Sequence, residues 1–326
     1  MQTSEKKGKG HGHPWIVGVA GIVVAVVISI HLPQLKVLSN MVFLFALAHV
    51  IVGCTLLISA YFISPPRLKY LLFEKRQLRK LEGKYYFGWS YGWMNMFWMI
   101  GTVFLMGTVW VYCYDHTLVW LSLILFLIAL NLFAGNYLLR TSKKNEYMTL
   151  PFVDLFRTDS DLILDAGCGA GRTTLELAKV MKKGKIVAYD RFDADYIENG
   201  GQSLLERNLK IAGIRDRVEI KKGDITAIPD NDDTFDSAIS SYMMDHLGKY
   251  KLDGLKEINR VLKPGGKFLL IVFVPGVATF SVFNLFCFSL TSRKGWRQLF
   301  GQSNFSLIEE GVINTGIYFL IEKPAQ

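Results

Sequence analysis

An acid followed by three glycines at alternate positions, Asp165-Ala166-Gly167-Cys168-Gly169-Ala170-Gly171, lies between a short apolar run and a stretch that opens with Arg172, Thr173 and Thr174. Glycine lets a backbone turn tightly and come within contact of a ligand. The spacing discriminates between ligands. A dinucleotide loop, G-x-G-x-x-G, would place its third glycine at 172, where Arg stands. With no pyrophosphate to cradle, the acid at 165 suits a cationic group on the ligand. Further along stand more side chains with chemical capacity: Asp190-Arg191, Asp224-Ile225, and the run Ser240-Ser241-Tyr242-Met243-Met244-Asp245-His246.

These residues need elements to hold them. From about residue 158 short apolar runs (161–165, 186–189, 218–220, 235–239 and 267–274) alternate with helical stretches at 172–182, 200–212 and 251–262. Such alternation implies a parallel sheet with helices on both faces and a ligand at the carboxyl ends of the strands. Residues 305–322 read as a closing hairpin. Each chemical station above then falls at a strand's carboxyl end.

This ordered set strongly resembles class I S-adenosylmethionine-dependent methyltransferases, of the type 11 or UbiE-like kind, over residues 158–275. The resemblance implies a Rossmann-like doubly wound α/β domain at 158–326 with S-adenosylmethionine as cofactor. Its first motif is Asp165, Gly167, Cys168, Gly169 and Gly171, with Thr173 in the helix whose N-terminal amides could receive a carboxylate. Asp190, with Arg191 beside it, occupies the ribose station, where two carboxylate oxygens can accept both hydroxyls. By the same resemblance Asp224 would bond the adenine amino group and Ile225 would pack on the ring. Phe235 to Tyr242, including Ser240, resembles the fourth-strand motif, and Val261-Leu262-Lys263-Pro264-Gly265-Gly266 the turn before the fifth strand. Asp236 reads as structural. The family places Tyr242, Asp245 and His246 toward the donor methyl. His246 is the candidate general base, oriented by Asp245; the competing reading has Asp245 cap the next helix with His246 packed beside it. A thiolate acceptor would need no base.

The first half has another character. The chain has 326 residues, 51% hydrophobic, with a net charge of +9, and six of its seven Trp lie in the first 120 positions. Residues 1–145 hold 14 Lys and Arg against 4 Asp and Glu, whereas 146–326 hold 23 against 24. The positive excess therefore belongs entirely to the apolar half, which is a membrane signature and excludes a basic nucleic-acid face. Four cysteines exclude a disulfide scaffold. Apolar runs at about 15–32, 38–64, 88–112 and 117–139 contain no Asp, Glu, Lys or Arg, and each approaches or exceeds the ~20 residues of a bilayer-spanning helix. Basic residues gather in the tail 1–14, in the loop 65–87 and at Arg140, Lys143 and Lys144, so both termini and that loop are expected in the cytoplasm. The first run carries no small-x-small cleavage pattern and reads as a span, not a removable signal. Loop 65–87 is either an interfacial amphipathic helix or a plain cytosolic connector. Gly18, Gly21, Ala25, Gly88 and Gly92 would allow close helix approach, within a bundle or between copies in a homo-oligomer. His49 reads as an interhelical hydrogen-bonding residue, and His11 with His13 lack the partners of a metal site; none is expected.

The expected architecture is thus an N-terminal four-helix transmembrane bundle, a linker at 140–157 and a cytoplasmic methyltransferase domain, in a multi-pass integral membrane protein. The acceptor would be a lipophilic small molecule or a lipid, with the apolar run 277–290 helping to form its pocket or touching the membrane; an ordinary core helix is the alternative for that run. The competing functions are a protein methyltransferase acting on a membrane neighbour and a non-catalytic membrane scaffold that senses S-adenosylmethionine.

Overall fold

In the computed structural model, residues 14–35, 37–47, 83–141, 148–313 and 316–325 are described. They fall into two compact units, one before residue 83 and one from Gly83 onward. His11, His13, His49, most of the basic loop and the second half of the 38–64 run lie outside the described residues. The smaller unit contains α1 (Pro14–His31) and α2 (Val37–Leu47). The two pack closely: a Cβ on Gly21 would stand 2.9 Å from that of Ala46, and Ser39 Oγ donates to Ala25 O at 2.6 Å.

The second unit opens with α3 (Tyr91–Tyr114) and α4 (Val119–Thr141). Ser90 caps α3 by accepting from Trp93 N. Asp115 turns the chain between the helices, accepting from Thr117 N and Oγ1, both at 2.8 Å. Both helices are long and apolar enough to cross a membrane. Among the described residues, most of the apolar surface of both helices is exposed. Val103, Trp110, Trp120 and Leu127 are all exposed. Where the two helices meet, Gly101 abuts Phe133, and Asn136 Nδ2 donates to Met94 O at 2.8 Å. Because α3 starts at Tyr91, Gly88 is not a helix-packing position. It has φ +66 in an extended stretch, where a Cβ would meet Leu204.

The rest is a seven-stranded sheet in the order β3-β2-β1-β4-β5-β7-β6. The strands are β1 (Leu162–Ala166), β2 (Lys185–Asp190), β3 (Val218–Lys222), β4 (Phe235–Ser241), β5 (Leu262–Val272), β6 (Ser306–Ile313) and β7 (Gly316–Glu322). The first five run parallel, and the last two form the antiparallel hairpin read from 305–322. Apolar clusters cover both faces. One includes Leu175, Leu177, Leu204 and Leu209, from α5 (Arg172–Val180) and α6 (Gln202–Ala212). The other includes Leu255, Ile258, Trp296 and Phe300, from α7 (Lys251–Val261) and α9 (Arg293–Gln302). The order reverses between β1 and β4, which opens a crevice at their carboxyl ends. Asp236 does the structural work expected of it, accepting from Leu162 N at 2.9 Å and pairing with Lys263 at 2.6 Å. The helix α7 ends at Val261, as the 261–266 signature implies. Leu262 pairs with Phe235, residues 263–266 then bulge out of the ladder with Gly265 at φ +68, and pairing resumes at Lys267 opposite Ser237.

Between β5 and α9 lies α8 (Val277–Phe283), followed by tight turns to Ser289. It seats on α4 at Gly135, where a Cβ would come within 2.8 Å of the carbonyls of Ser281 and Val282. Only glycine permits so close a backbone approach. Gly135→Leu is expected to lift α8 off α4 and lower the denaturation midpoint, at a cost of ~1–3 kcal/mol for overpacking. Urea unfolding in detergent checks this; an unchanged midpoint would show that the contact carries no stability.

Candidate functional site

The crevice is built on the loop from β1 to α5. Gly167, Gly169 and Gly171 all have positive φ, +80, +52 and +87. At Gly167 a side chain is excluded twice, by conformation and by Met243, whose Cγ would lie 2.2 Å from a Cβ. Gly167 N donates to Tyr189 O at 2.8 Å, holding the loop against the end of β2. Beneath it Asp165 is fully buried; its Oδ2 accepts from Thr174 Oγ1 at 2.5 Å, and its Oδ1 has no partner. Burial pushes this carboxyl up to about 7, with the charge of Asp190 adding to the rise and the Thr174 hydrogen bond opposing it. Burial first, and the nearby Asp165 and Asp190, keep the Cys168 thiol protonated. Thr173 is buried in the first turn of α5.

Asp190, at the end of β2, accepts from Gly169 N at 2.8 Å and Phe192 N at 2.7 Å, one bond per oxygen. Each oxygen keeps a second lone pair for another donor. Asp224 accepts from Thr226 N and Oγ1, bonds that hold its carboxyl below the ordinary value. Arg191 reaches Asp224 at 3.6 Å and Asp193 at 3.3 Å at the surface. Ile225 is buried in the core. Ser240 is fully buried with an unpartnered Oγ, inside the sheet beside the loop.

After β4 the chain bends sharply at Tyr242, whose φ is +60 and whose N–H donates to Ile271 O at 2.7 Å. Its ring stacks on Phe273 at 4.4 Å. Asp245 neither caps a helix nor orients His246. Its Oδ2 accepts from Phe273 N at 2.9 Å, Oδ1 has no partner, and burial raises the carboxyl to about 6. What positions the His246 ring is Tyr196, stacked on it at 5.1 Å. Burial, helped by the charge of Lys251, lowers the His246 pKa, so the imidazole is neutral at pH 7 and can accept a proton.

Tyr196 lies on the loop after β2, and no spacing rule marks it. Its ring also faces Trp89 at 6.1 Å and Trp93 at 5.8 Å. Arg172, nearly buried at the start of α5, lies over the rings of Trp89 and Tyr242 at 5.7 and 5.9 Å. Residues 85–90 thus form a strap beside the crevice, tied by Ser90 N to Tyr196 O at 3.0 Å and Glu198 N to Gly88 O at 2.7 Å. The tie deepens at Asn208: its side chain accepts from Tyr86 N and donates to Tyr86 O and Ala170 O, while Tyr86 OH bonds Glu198. The signal the sequence offers is the aromatic pair Tyr85-Tyr86 ahead of Trp89, at the boundary expected between the basic loop and the third apolar run.

Residues 163–266 match the family model of the methyltransferase domain. That segment is a methyltransferase domain. The chain is 30% identical over 129 residues to a demethylmenaquinone methyltransferase of Symbiobacterium thermophilum, covering 39% of this chain and 49% of that one. It is 30% identical over 137 residues to a ubiquinone/menaquinone biosynthesis C-methyltransferase of Rhodopseudomonas palustris, covering 41% and 51%. A sterol 4-C-methyltransferase of Caenorhabditis elegans is 37% identical over 108 residues, covering 33% and 29%. The chain therefore spans about half the length of the first two relatives or less. The crystal structure of an S-adenosylmethionine-dependent methyltransferase of Methanosarcina mazei, 20% identical, superposes with a TM-score of 0.45 over 55% of this chain and 99% of that one. S-adenosylmethionine is the cofactor this domain implies, and the residues fit it. Asp165 Oδ1 is a buried acceptor lacking a donor, the glycine loop is a close-approach backbone, and Asp190 keeps acceptor capacity for hydroxyls.

The carboxyl of Asp165 has a pH signature. Its folded pKa of about 7 lies above the ~3.9 of an unfolded Asp, so the native state holds a proton that the unfolded chain releases. Stability is then lost as pH rises from about 4 to about 7, by at most ~4 kcal/mol from this group. Asp245, raised to about 6, adds the same sign over a narrower window. Urea midpoints measured across that range should fall with pH in the parent protein and fall much less in Asp165→Asn; identical slopes would refute the assignment.

Proposed function

We propose that the protein is an integral-membrane, S-adenosylmethionine-dependent methyltransferase whose acceptor is a small lipophilic or membrane-associated molecule. The observation that carries this reading is a single junction. The strap and the apolar, membrane-length helix it leads into pack Trp89 and Trp93 against Tyr196, which stacks on His246 in the turn after β4. An acceptor dissolved in a bilayer and a methyl donor dissolved in water would meet at such a place. The quinone and sterol methyltransferases among the relatives support a lipophilic acceptor. The exposed apolar faces of α3 and α4 support membrane integration. The charge distribution supports four spans with both termini and the catalytic domain in the cytoplasm.

When bound, S-adenosylmethionine supplies a methyl group already activated on a sulfonium. The chain's own task is to hold an acceptor in line with it and to exclude water. Asp165 and the glycine loop would receive the amino-acid end, Asp190 the ribose, and Asp224 with Ile225 the adenine. Arg191, paired with Asp224, would help to hold that carboxylate in place. Tyr242, fixed by its backbone bend and by Phe273, would border the acceptor. His246, neutral and held by Tyr196, would take a proton from an acceptor that carries one.

The test incubates detergent-purified protein with methyl-labelled S-adenosylmethionine and a membrane-containing cell extract, with Asp165→Ala as the blank. Label is expected in the organic phase. Label in precipitated protein would overturn the lipophilic acceptor in favour of a protein substrate. Cofactor binding with no transfer would favour a sensor, and near-native cofactor affinity in the blank would refute the placement of the site. His246→Ala is expected to lower turnover by ~10²–10⁴-fold with cofactor affinity unchanged. A loss below about threefold would remove it as the base.

A further inference from the structure

The residues that cover α8 are a second apolar surface, separate from the crevice. Val277, Phe286 and Phe288 are exposed, and Phe280 is partly so. A solitary exposed apolar side chain is ordinary, but a contiguous set on a seven-residue helix and the turns after it calls for a covering phase. The position of α8 identifies that phase. It contacts α4 at Gly135 and α3 at Phe97, whose ring lies 6.1 Å from that of Phe283. The membrane-length segments run Trp93–Tyr114 and His116–Leu138. Phe97 and Gly135 are thus four and three residues inside their domain-side ends, which at 1.5 Å per residue is a depth of ~5–6 Å. Both helices give the same level, and the Asn136–Met94 bond pins them there. Immediately after the apolar turns come Arg293, Lys294 and Arg297, with Arg293 and Arg297 sharing Glu310.

We propose that residues 277–289 are seated in the headgroup region of an anionic lipid bilayer, beside the domain-side ends of α3 and α4. An apolar face set a few ångströms below the polar boundary, followed by basic residues, is the arrangement by which helices bind in the interface plane. Seated there, Phe283 and Phe273, whose rings meet edge-on at 5.0 Å, lie between the bilayer and Tyr242. The inference rests on the membrane reading of α3 and α4, and its test keeps the two apart.

Single cysteines replace Phe288, Phe286, Val103 and Tyr250 in turn, in the full chain carrying Cys54→Ser and Cys113→Ser. Each is labelled with an environment-sensitive fluorophore in nanodiscs of phosphatidylcholine and phosphatidylglycerol. Phe288→Cys and Phe286→Cys are expected to lose fluorescence to lipid bearing a doxyl group near its headgroup and to be shielded from aqueous iodide. Tyr250→Cys should show the reverse. If both the 286 and 288 labels are quenched by iodide alone while Val103→Cys is quenched by lipid bearing its doxyl group deep in the acyl chain, the interfacial seat is overturned and the spans stand. If Val103→Cys is also reached only by iodide, the membrane reading falls and takes the seat with it. Two labelled positions guard against one variant that fails to fold, which its unfolding midpoint would reveal.

Discussion

The carboxamide of Asn208 is the point on which the rest of the second unit depends. It is fully buried and bonds three backbone groups, Tyr86 N, Tyr86 O and Ala170 O. Tyr86 belongs to the strap that becomes α3, Ala170 to the glycine loop, and Asn208 itself to α6. One side chain thus fixes a membrane-length helix, a cofactor loop and a sheet-covering helix against each other. A buried peptide group without a partner costs more than an ordinary hydrogen bond is worth, so the strap cannot leave this seat cheaply.

Electrostatics around the crevice follow from that enclosure. Asp165, Asp190 and Asp245 are all raised chiefly by burial. Three carboxylates gathered at one end of a sheet are costly when empty of cations, and each leaves acceptor capacity unspent. Such a cluster favours a ligand with a positive end and hydroxyl donors, and it does so before any contact is counted. Arg172 does not cancel the cluster: its guanidinium is held over Trp89 and Tyr242, and burial lowers its pKa. Held over those rings, it stiffens the wall between crevice and strap.

What could be read from the sequence and what could not divide along physical lines. The glycine loop, the strand-end acids and the closing hairpin were legible because backbone conformation and strand alternation impose residue types at fixed spacing. Gly167 must be glycine at φ +80 against Met243, whatever the surroundings. The roles of Asp245 and Tyr196 were not legible. Asp245 meets Phe273 N across 28 positions, and Tyr196 meets Trp89 across a bridge between segments more than a hundred residues apart. Nothing local encodes those meetings. For the same reason 85–90 looked like the edge of a span: its apolar residues serve the crevice instead, and hydropathy does not distinguish the two uses.

The short strap has a further consequence for chemistry at a membrane. A flexible linker between anchor and catalytic domain would let the crevice sample many heights above a bilayer, diluting its encounters with an acceptor confined to one layer. Here Ser90 both caps α3 and donates to Tyr196 O, so no freely jointed residue separates the helix from the ring that holds His246. The height of the crevice relative to α3 is therefore set by covalent geometry and hydrogen bonds, with little left to diffusion. Gly135 then fixes α8 on the other helix at a matching level. Two contacts, one per helix, hold this edge of the domain, where Phe273 meets Phe283 edge-on and stacks on Tyr242. On the proposed reading, the spans act as a jig that presents one edge of the crevice to the layer in which the acceptor resides.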